Sequence, residues 1–167
     1  EEKILDSKQI EEIIKKHKLV NRDILKDFVK DNPLHLPEDS LSKIIEVVNI
    51  NRDKTAAFYT PKSIIFDIVN SLPTFESKSI KILEPSVGVG NFIPFLCEKY
   101  RDKRIDLDVI DVDESSIEFL KLLMLKRSFS NLSIRYFNID FLDYQTDEYY
   151  DIVIGNPPFG KITDKKL

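Results

Sequence analysis

The chain has 167 residues, of which 42% are hydrophobic and 32% charged, with a formal net charge of -4. This is an ordinary globular composition, enough for one domain with an appendage. The acidic balance argues against a free-standing nucleic-acid-binding domain, which would be basic, but not against a catalytic module whose nucleic-acid contacts lie in another segment. No apolar run is long enough to span a bilayer, the start Glu1-Glu2-Lys3 lacks the apolar stretch of a signal peptide, and the single cysteine, Cys97, can form no internal disulfide. An intracellular, reducing location is therefore expected.

Residues 1–55 read as a helical segment. Ser7 or Asp6 can cap a helix with Ile10, Ile13, Ile14 and His17 on one face; Asn21 can cap a second with Ile24, Leu25, Phe28 and Val29 inward. Asp31-Asn32-Pro33 and Leu36-Pro37 break the chain, and a third helix starts near Asp39 or Ser40 with Leu41, Ile44, Ile45 and Val48 as its stripe. These stripes are narrow and need a partner surface. His17 and His35 have no second ligand at metal-binding spacing, so no metal site is expected and both read as structural or surface groups.

Residues 56–167 form the second part. Thr60-Pro61 is a good N-cap and first-turn pair for a helix with Ile64, Ile65, Ile68, Val69 and Leu72 on its buried side, ending before Pro73. A capped helix start with a free hydroxyl is also a natural seat for a carboxylate. Ile80-Lys81-Ile82-Leu83 then reads as a strand, Glu84-Pro85-Ser86-Val87-Gly88-Val89-Gly90-Asn91-Phe92 as a glycine loop, and the stretch to about Tyr100 as a helix. Strand, glycine loop and helix open a nucleotide-binding α/β sheet. The third glycine of the dinucleotide fingerprint is absent, which favours an adenosyl ligand without phosphates over NAD.

Residues 105–111 alternate as a strand ending on Asp111, where such a site needs an acid for ribose hydroxyls, and a helix from about Glu114 to Arg127 follows. Residues 132–137 are a third strand, with Asp140 and Phe141 at its exit. Asp140 could accept from an adenine amine with Phe141 flanking the ring; on packing grounds Phe141 and Leu142 could equally plug the core.

The last ordered run is Asp151-Ile152-Val153-Ile154-Gly155-Asn156-Pro157-Pro158-Phe159-Gly160. It reads as a buried strand cut off by glycine and two prolines, which cannot donate to a ladder. Asn156, preceding a proline, is driven to an extended geometry. The product is a rigid tip at a strand's carboxyl end, where ligands of open α/β sheets bind. A flat heterocycle with an exocyclic amine can donate its two N–H bonds to the Asn156 side-chain oxygen and the Pro157 carbonyl, with Phe159 stacked on its face.

Four stations stand in one order: Phe58-Tyr59-Thr60-Pro61, residues 84–92, Asp140-Phe141 and Asn156-Pro157-Pro158-Phe159. Together, over residues 56–161, they resemble the N-terminal half of S-adenosylmethionine-dependent DNA adenine-N6 methyltransferases of the gamma motif order. The resemblance implies a Rossmann-like methyltransferase fold, truncated after its fourth strand and preceded by the helical segment. It implies S-adenosylmethionine as cofactor: Tyr59, Thr60 and Pro61 at the methionine carboxylate, Glu84 facing the ammonium, and Pro85, Ser86, Gly88, Gly90 and Phe92 in the loop beneath. Asp111 would hold the ribose, Val112 would touch adenine, and Asp140 with Phe141 would hold its edge and face. Asn156, Pro157, Pro158 and Phe159 would hold the target base.

The resemblance further implies double-stranded DNA as partner, contacted through segments missing from this stretch. A restriction or specificity subunit or a fused nuclease would accompany it in the bacterial cytoplasm, with no membrane involved. Taken alone, the stretch is expected to bind cofactor weakly or not at all and to turn over little. The alternatives are methylation of RNA or of a protein glutamine, and a non-catalytic interaction module that keeps the fold.

Overall fold

The computed structural model describes residues 5–53 and 60–157. Three helices come first: α1 (Ser7–Lys16), α2 (Arg22–Asp31) and α3 (Glu38–Asp53). Asp6 caps α1 in a reciprocal box with Gln9, and the Asn21 side chain caps α2 by accepting from Asp23 and Ile24 N–H. Asn32 ends α2 in the left-handed region, which asparagine tolerates better than most residues. Each cap satisfies backbone groups that a helix end leaves unpaired.

The remainder is an α/β unit: α4 (Lys62–Ser71), β1 (Ser79–Pro85), α5 (Ile93–Lys99), β2 (Arg104–Asp111), α6 (Glu114–Lys126), β3 (Leu132–Asn138), a short 3-10 turn (Phe141–Asp143) and β4 (Ile152–Val153). The four strands are all parallel in the order β3-β2-β1-β4. The sequence changes direction across the sheet between β3 and β4, and this switch point is where such sheets bind ligands.

Two apolar cores share the structure. One lies against the sheet and gathers Ile65, Val69, Ile80, Ile82, Val87, Phe92, Leu107 and Leu120 among others. The second supplies the surface that the narrow helical stripes require: Ile10, Leu25, Phe28, Leu41, Ile44, Ile45 and Val48 close over Phe119 and Leu123 of α6 and over Val89 of the glycine loop. His17 lies against Phe28, ring centroids 5.2 Å apart. Among the described residues no helix is long and apolar enough to cross a membrane.

Some expectations need correction. Ile65 and Val69 of α4 are buried, but Ile64 and Ile68, expected on the same side, are exposed, as is Ile24 of α2. Thr60 does not cap α4; Pro61 occupies that position without a side-chain bond. The apolar run 151–154 gives only the two-residue strand β4, with Ile152 and Ile154 buried and Val153 exposed. Nor do Phe141 and Leu142 plug the core: they are 42% and 84% exposed. Periodicity marks a surface able to be buried, whereas burial depends on what lies opposite.

Opposite the α5–α6 side, a polar cluster ties the lower sheet together. Asp108, 1% exposed, accepts from Arg135 Nε and Nη2 and from the Tyr150 hydroxyl, each at 2.6 Å. Burial alone would raise this carboxyl, but the Arg135 and Tyr150 bonds outweigh it and hold the group below the usual carboxylate range. Through Tyr150 the cluster fastens the chain entering β4.

Candidate functional site

Because the strands are parallel, their carboxyl ends open along one edge. The order β3-β2-β1-β4 aligns the β3 exit, Asp111, the Glu84–Gly90 loop and the Asn156 tip. Strand alternation puts Glu84 on the same face as Ile80 and Ile82, directly above the sheet core.

Glu84 is 2% exposed, and its Oε2 has no hydrogen-bond partner. Burial pushes its carboxyl up to about 8; the Arg127 charge opposes this and the Asp111 charge adds to it. A buried carboxyl oxygen without a partner is costly, and such groups mark places where a ligand supplies the missing donor.

The loop after β1 reverses direction within a few residues. Ser86, Gly88 and Gly90 have φ of 58°, 55° and 75°. Val87 N–H donates to Ile110 O at 2.9 Å and Gly90 N–H to Val87 O at 2.9 Å, so the turn is anchored on β2 and on itself. An added Cβ on Gly88 would meet nothing within 4 Å, whereas one on Gly90 would strike Leu120 and Ile93 at 2.6 and 2.7 Å. Gly88 therefore borders open space and Gly90 lies on the core. Phe92, expected among the cofactor residues, is buried in that core beneath the loop.

Asp111 has a role the sequence did not disclose. Its Oδ2 accepts from Gly88 N–H at 2.8 Å and its Oδ1 from Asp113 N–H at 2.9 Å. Burial raises its carboxyl, and these two backbone bonds partly offset the rise. A carboxylate oxygen accepts more than one bond, so Asp111 can anchor the loop and still receive hydroxyls.

At the β3 exit, Asn138 Nδ2 donates to the carbonyls of Asp111 and Val112 at 2.9 and 3.0 Å. This residue, missed in the sequence, holds the backbone that presents the exposed Val112. Asp140 caps the 3-10 turn through its Oδ1, which accepts from Leu142 N–H at 3.0 Å. Its local-capping pattern could have been found from the sequence; the Asn138 bond across the sheet could not.

The tip after β4 lies beside β1. A Cβ on Gly155 would stand 2.5 Å from Pro85 O, so only glycine fits where the two chains pass. The next residue, Asn156, donates from Nδ2 to Thr60 Oγ1 at 2.9 Å. Thr60, Glu84–Gly90, Asp111 and Asn156 thus come together along one edge. Tyr59, Pro158 and Phe159 lie outside the described residues.

The methyltransferase small domain family model matches residues 68–167. The chain belongs to that family. It is 30% identical over 151 residues to the type II methyltransferase M.VspI of Vibrio sp. (strain 343), covering 86% of this chain and 35% of that protein. It is 35% identical over 108 residues to the type II methyltransferase M.CvrRI of Paramecium bursaria Chlorella virus XZ-6E, covering 65% of this chain and 25% of that protein. The chain thus spans between a quarter and little more than a third of the length of these curated relatives.

Among solved structures, a protein from Listeria monocytogenes described as a class I S-adenosylmethionine-dependent methyltransferase aligns with a TM-score of 0.59 and 14% identity, covering 91% of this chain and 56% of that one. The methyltransferase subunit of a type I restriction-modification system from Streptococcus thermophilus aligns with a TM-score of 0.50 and 20% identity, covering 72% of this chain and 28% of that one. At these identities the likeness establishes the Rossmann-like methyltransferase fold.

Proposed function

We propose that this chain is the cofactor-binding and amine-binding half of an S-adenosylmethionine-dependent DNA methyltransferase. It would act on the N6 amine of a flipped-out adenine within a restriction-modification system. The observation that carries the reading is the joining of the Asn156 tip to Thr60 and, through Gly155, to Pro85. The Asn156 tip and the start of the glycine loop thereby lie side by side at the carboxyl edge of the sheet. The type II methyltransferase relatives support the same substrate class.

The residues fit the cofactor. Glu84 offers a buried, unpartnered oxygen for an ammonium, and the loop leaves open space above Gly88. Thr60 and Pro61, with Tyr59, would border the methionine carboxylate, Asp111 would take the ribose, and Val112, Asp140 and Phe141 would surround adenine. When bound, the cofactor supplies an electrophilic methyl group on sulfonium sulfur.

The chain's own task is positioning. Flipping the base out of the duplex costs about a few kcal/mol. Asn156 Oδ1 and the Pro157 carbonyl accept the two amine hydrogens and turn the nitrogen lone pair out of the ring. The amine so held would accept the methyl group that the bound cofactor would supply, and its surplus proton would pass to solvent. Orientation of this kind supplies much of the acceleration when reacting atoms are held in near contact. No cysteine nucleophile takes part: burial pushes the Cys97 thiol up to about 12.

The test uses the full-length protein, with whatever sequence its gene encodes on either side of these residues. Tritiated methyl incorporation is measured into DNA, RNA and protein, and modified nucleosides are identified. N6-methyladenine in DNA supports the reading. Label in RNA or in a glutamine moves the substrate elsewhere; absence of both label and cofactor binding leaves a non-catalytic module.

A further inference from the structure

The helical layer α1–α3 reaches the glycine loop at three successive residues. Val89, 3% exposed, inserts its side chain into the core built by α1, α2, α3 and α6, whereas Val87 and Phe92 on either side enter the sheet core. Gly90 presents its carbonyl to Arg127 Nη1 at 3.3 Å, and the Arg127 side chain, 5% exposed, pairs through Nε with Glu38 at the start of α3. Asn91 donates from Nδ2 to Glu46 Oε1 of α3 at 2.8 Å. The loop is thus held between two cores, with one face on the sheet and the other on the helical layer.

Glu46 is a costly way to make such a tie. Its Oε2 is buried without a hydrogen-bond partner. A local loop needs no buried acid from a helix 45 residues away. Its position opposite Asn91 gives the side chain a purpose: it fixes the turn immediately after the two glycines.

We propose that the helical layer is a positioning element for the cofactor loop, with Glu46 and Arg127 as its positioning residues. Neither is assigned a contact with the cofactor; both act by fixing the backbone from Gly88 to Phe92. This inference rests on the cofactor reading given above. Its consequence is that the helical layer sets cofactor affinity, and a change in its packing is felt at the loop.

The experiment uses the full-length protein with S-adenosylhomocysteine as calorimetric probe, followed by steady-state kinetics. Glu46→Leu, which removes the acceptor, should raise Kd for the probe and KM for the cofactor about tenfold. At saturating cofactor kcat should stay close to wild type, so that the loss appears in Kd and KM. Glu46→Gln, which keeps an acceptor oxygen for Asn91, should restore affinity. Asn91→Leu should reproduce the loss, and the double variant should add nothing to it.

Wild-type affinity in Glu46→Leu overturns the inference, as does equal loss in the Leu and Gln variants or a loss that only follows melting. Should Glu46→Leu fail to fold, Asn91→Leu decides the matter from the loop side by the same criteria. If the wild-type protein itself binds no S-adenosylhomocysteine, the reading of the site fails instead.

Discussion

Asn156 Nδ2 donates to Thr60 Oγ1 at 2.9 Å, across 96 residues of sequence. This bond fixes the orientation of the Asn156 side chain at the end of β4. Thr60→Val removes the acceptor but keeps the shape. Loss of one such bond, about 1 kcal/mol, should slow methyl transfer roughly fivefold, and Thr60→Ser should recover most of it. Steady-state rates with saturating DNA and cofactor are the measurement; an unchanged rate in Thr60→Val would remove this bond from the mechanism.

Glu84 makes cofactor binding depend on pH in a definite direction. Its carboxyl stands at about 8 in the folded protein, above the ordinary value of 4.5, so it is largely protonated at neutral pH. An incoming ammonium requires the ionised form. Binding at pH 7 should therefore release a proton, and affinity should rise as pH approaches 8. Calorimetry in buffers of different ionisation enthalpy counts the proton, and Glu84→Gln should abolish both the release and the pH dependence.

The same group has the opposite effect on the stability of the protein without cofactor. A carboxyl raised on folding contributes stability that is fully present below its unfolded pKa and lost as pH rises through the folded value. Glu46, also pushed up to about 8 by burial despite the Asn91 bond and the Lys43 and Lys62 charges, acts in the same sense. Urea midpoints should therefore fall between about pH 4.5 and 8, and Glu84→Gln with Glu46→Gln should flatten the decline.

Two glycines should separate binding from stability. Gly88→Ala places a methyl in open space at a φ of 55°, costing about 1–2 kcal/mol of stability. Its larger effect should be on the cofactor seat, with Kd rising about tenfold. Gly155→Ala drives a methyl onto the Pro85 carbonyl and should destabilise by about 1–3 kcal/mol, moving the Asn156 tip. Denaturant titration beside calorimetry distinguishes the two.

The Asp108 cluster predicts a stability loss without a change in cofactor contacts. Removing Arg135 leaves a buried carboxylate short of its main partner, but the guanidinium is itself half exposed. The loss in Arg135→Ala should therefore lie below the usual range for buried pairs, at about 2 kcal/mol. Tyr150→Phe should cost about 1 kcal/mol. Because the folded carboxyl is depressed, this contribution is present above the ordinary Asp value and disappears as pH falls below it. Urea unfolding at pH 7 and pH 3 tests both the size and the sign.

Much of the architecture was written locally. Asp6, Asn21 and Asp113 cap their helices through neighbours two or three residues away. The strand-loop-helix unit around Gly88 and the proline stop after Asn156 are likewise short patterns with a direct steric cause. That is why the element order could be read in advance. Local rules failed where the opposite surface decided the outcome: Ile64 and Ile68 carry the helical period but face outward, and Thr60 has the chemistry of an N-cap but its hydroxyl oxygen accepts from Asn156 instead.

The sequence by itself determined which residues would stand at the carboxyl ends of the strands, since hydrophobic period, capping and proline geometry act within a few residues. Only the tertiary structure decided how those ends were joined: Asn156 to Thr60, Gly88 to Asp111, and Asn91 to Glu46. These bonds link positions 96, 23 and 45 residues apart, and no short-range period encodes them. They arise because strand order and the packing of the helical layer bring the groups together, after which the high cost of an unpaired buried polar atom selects the partner.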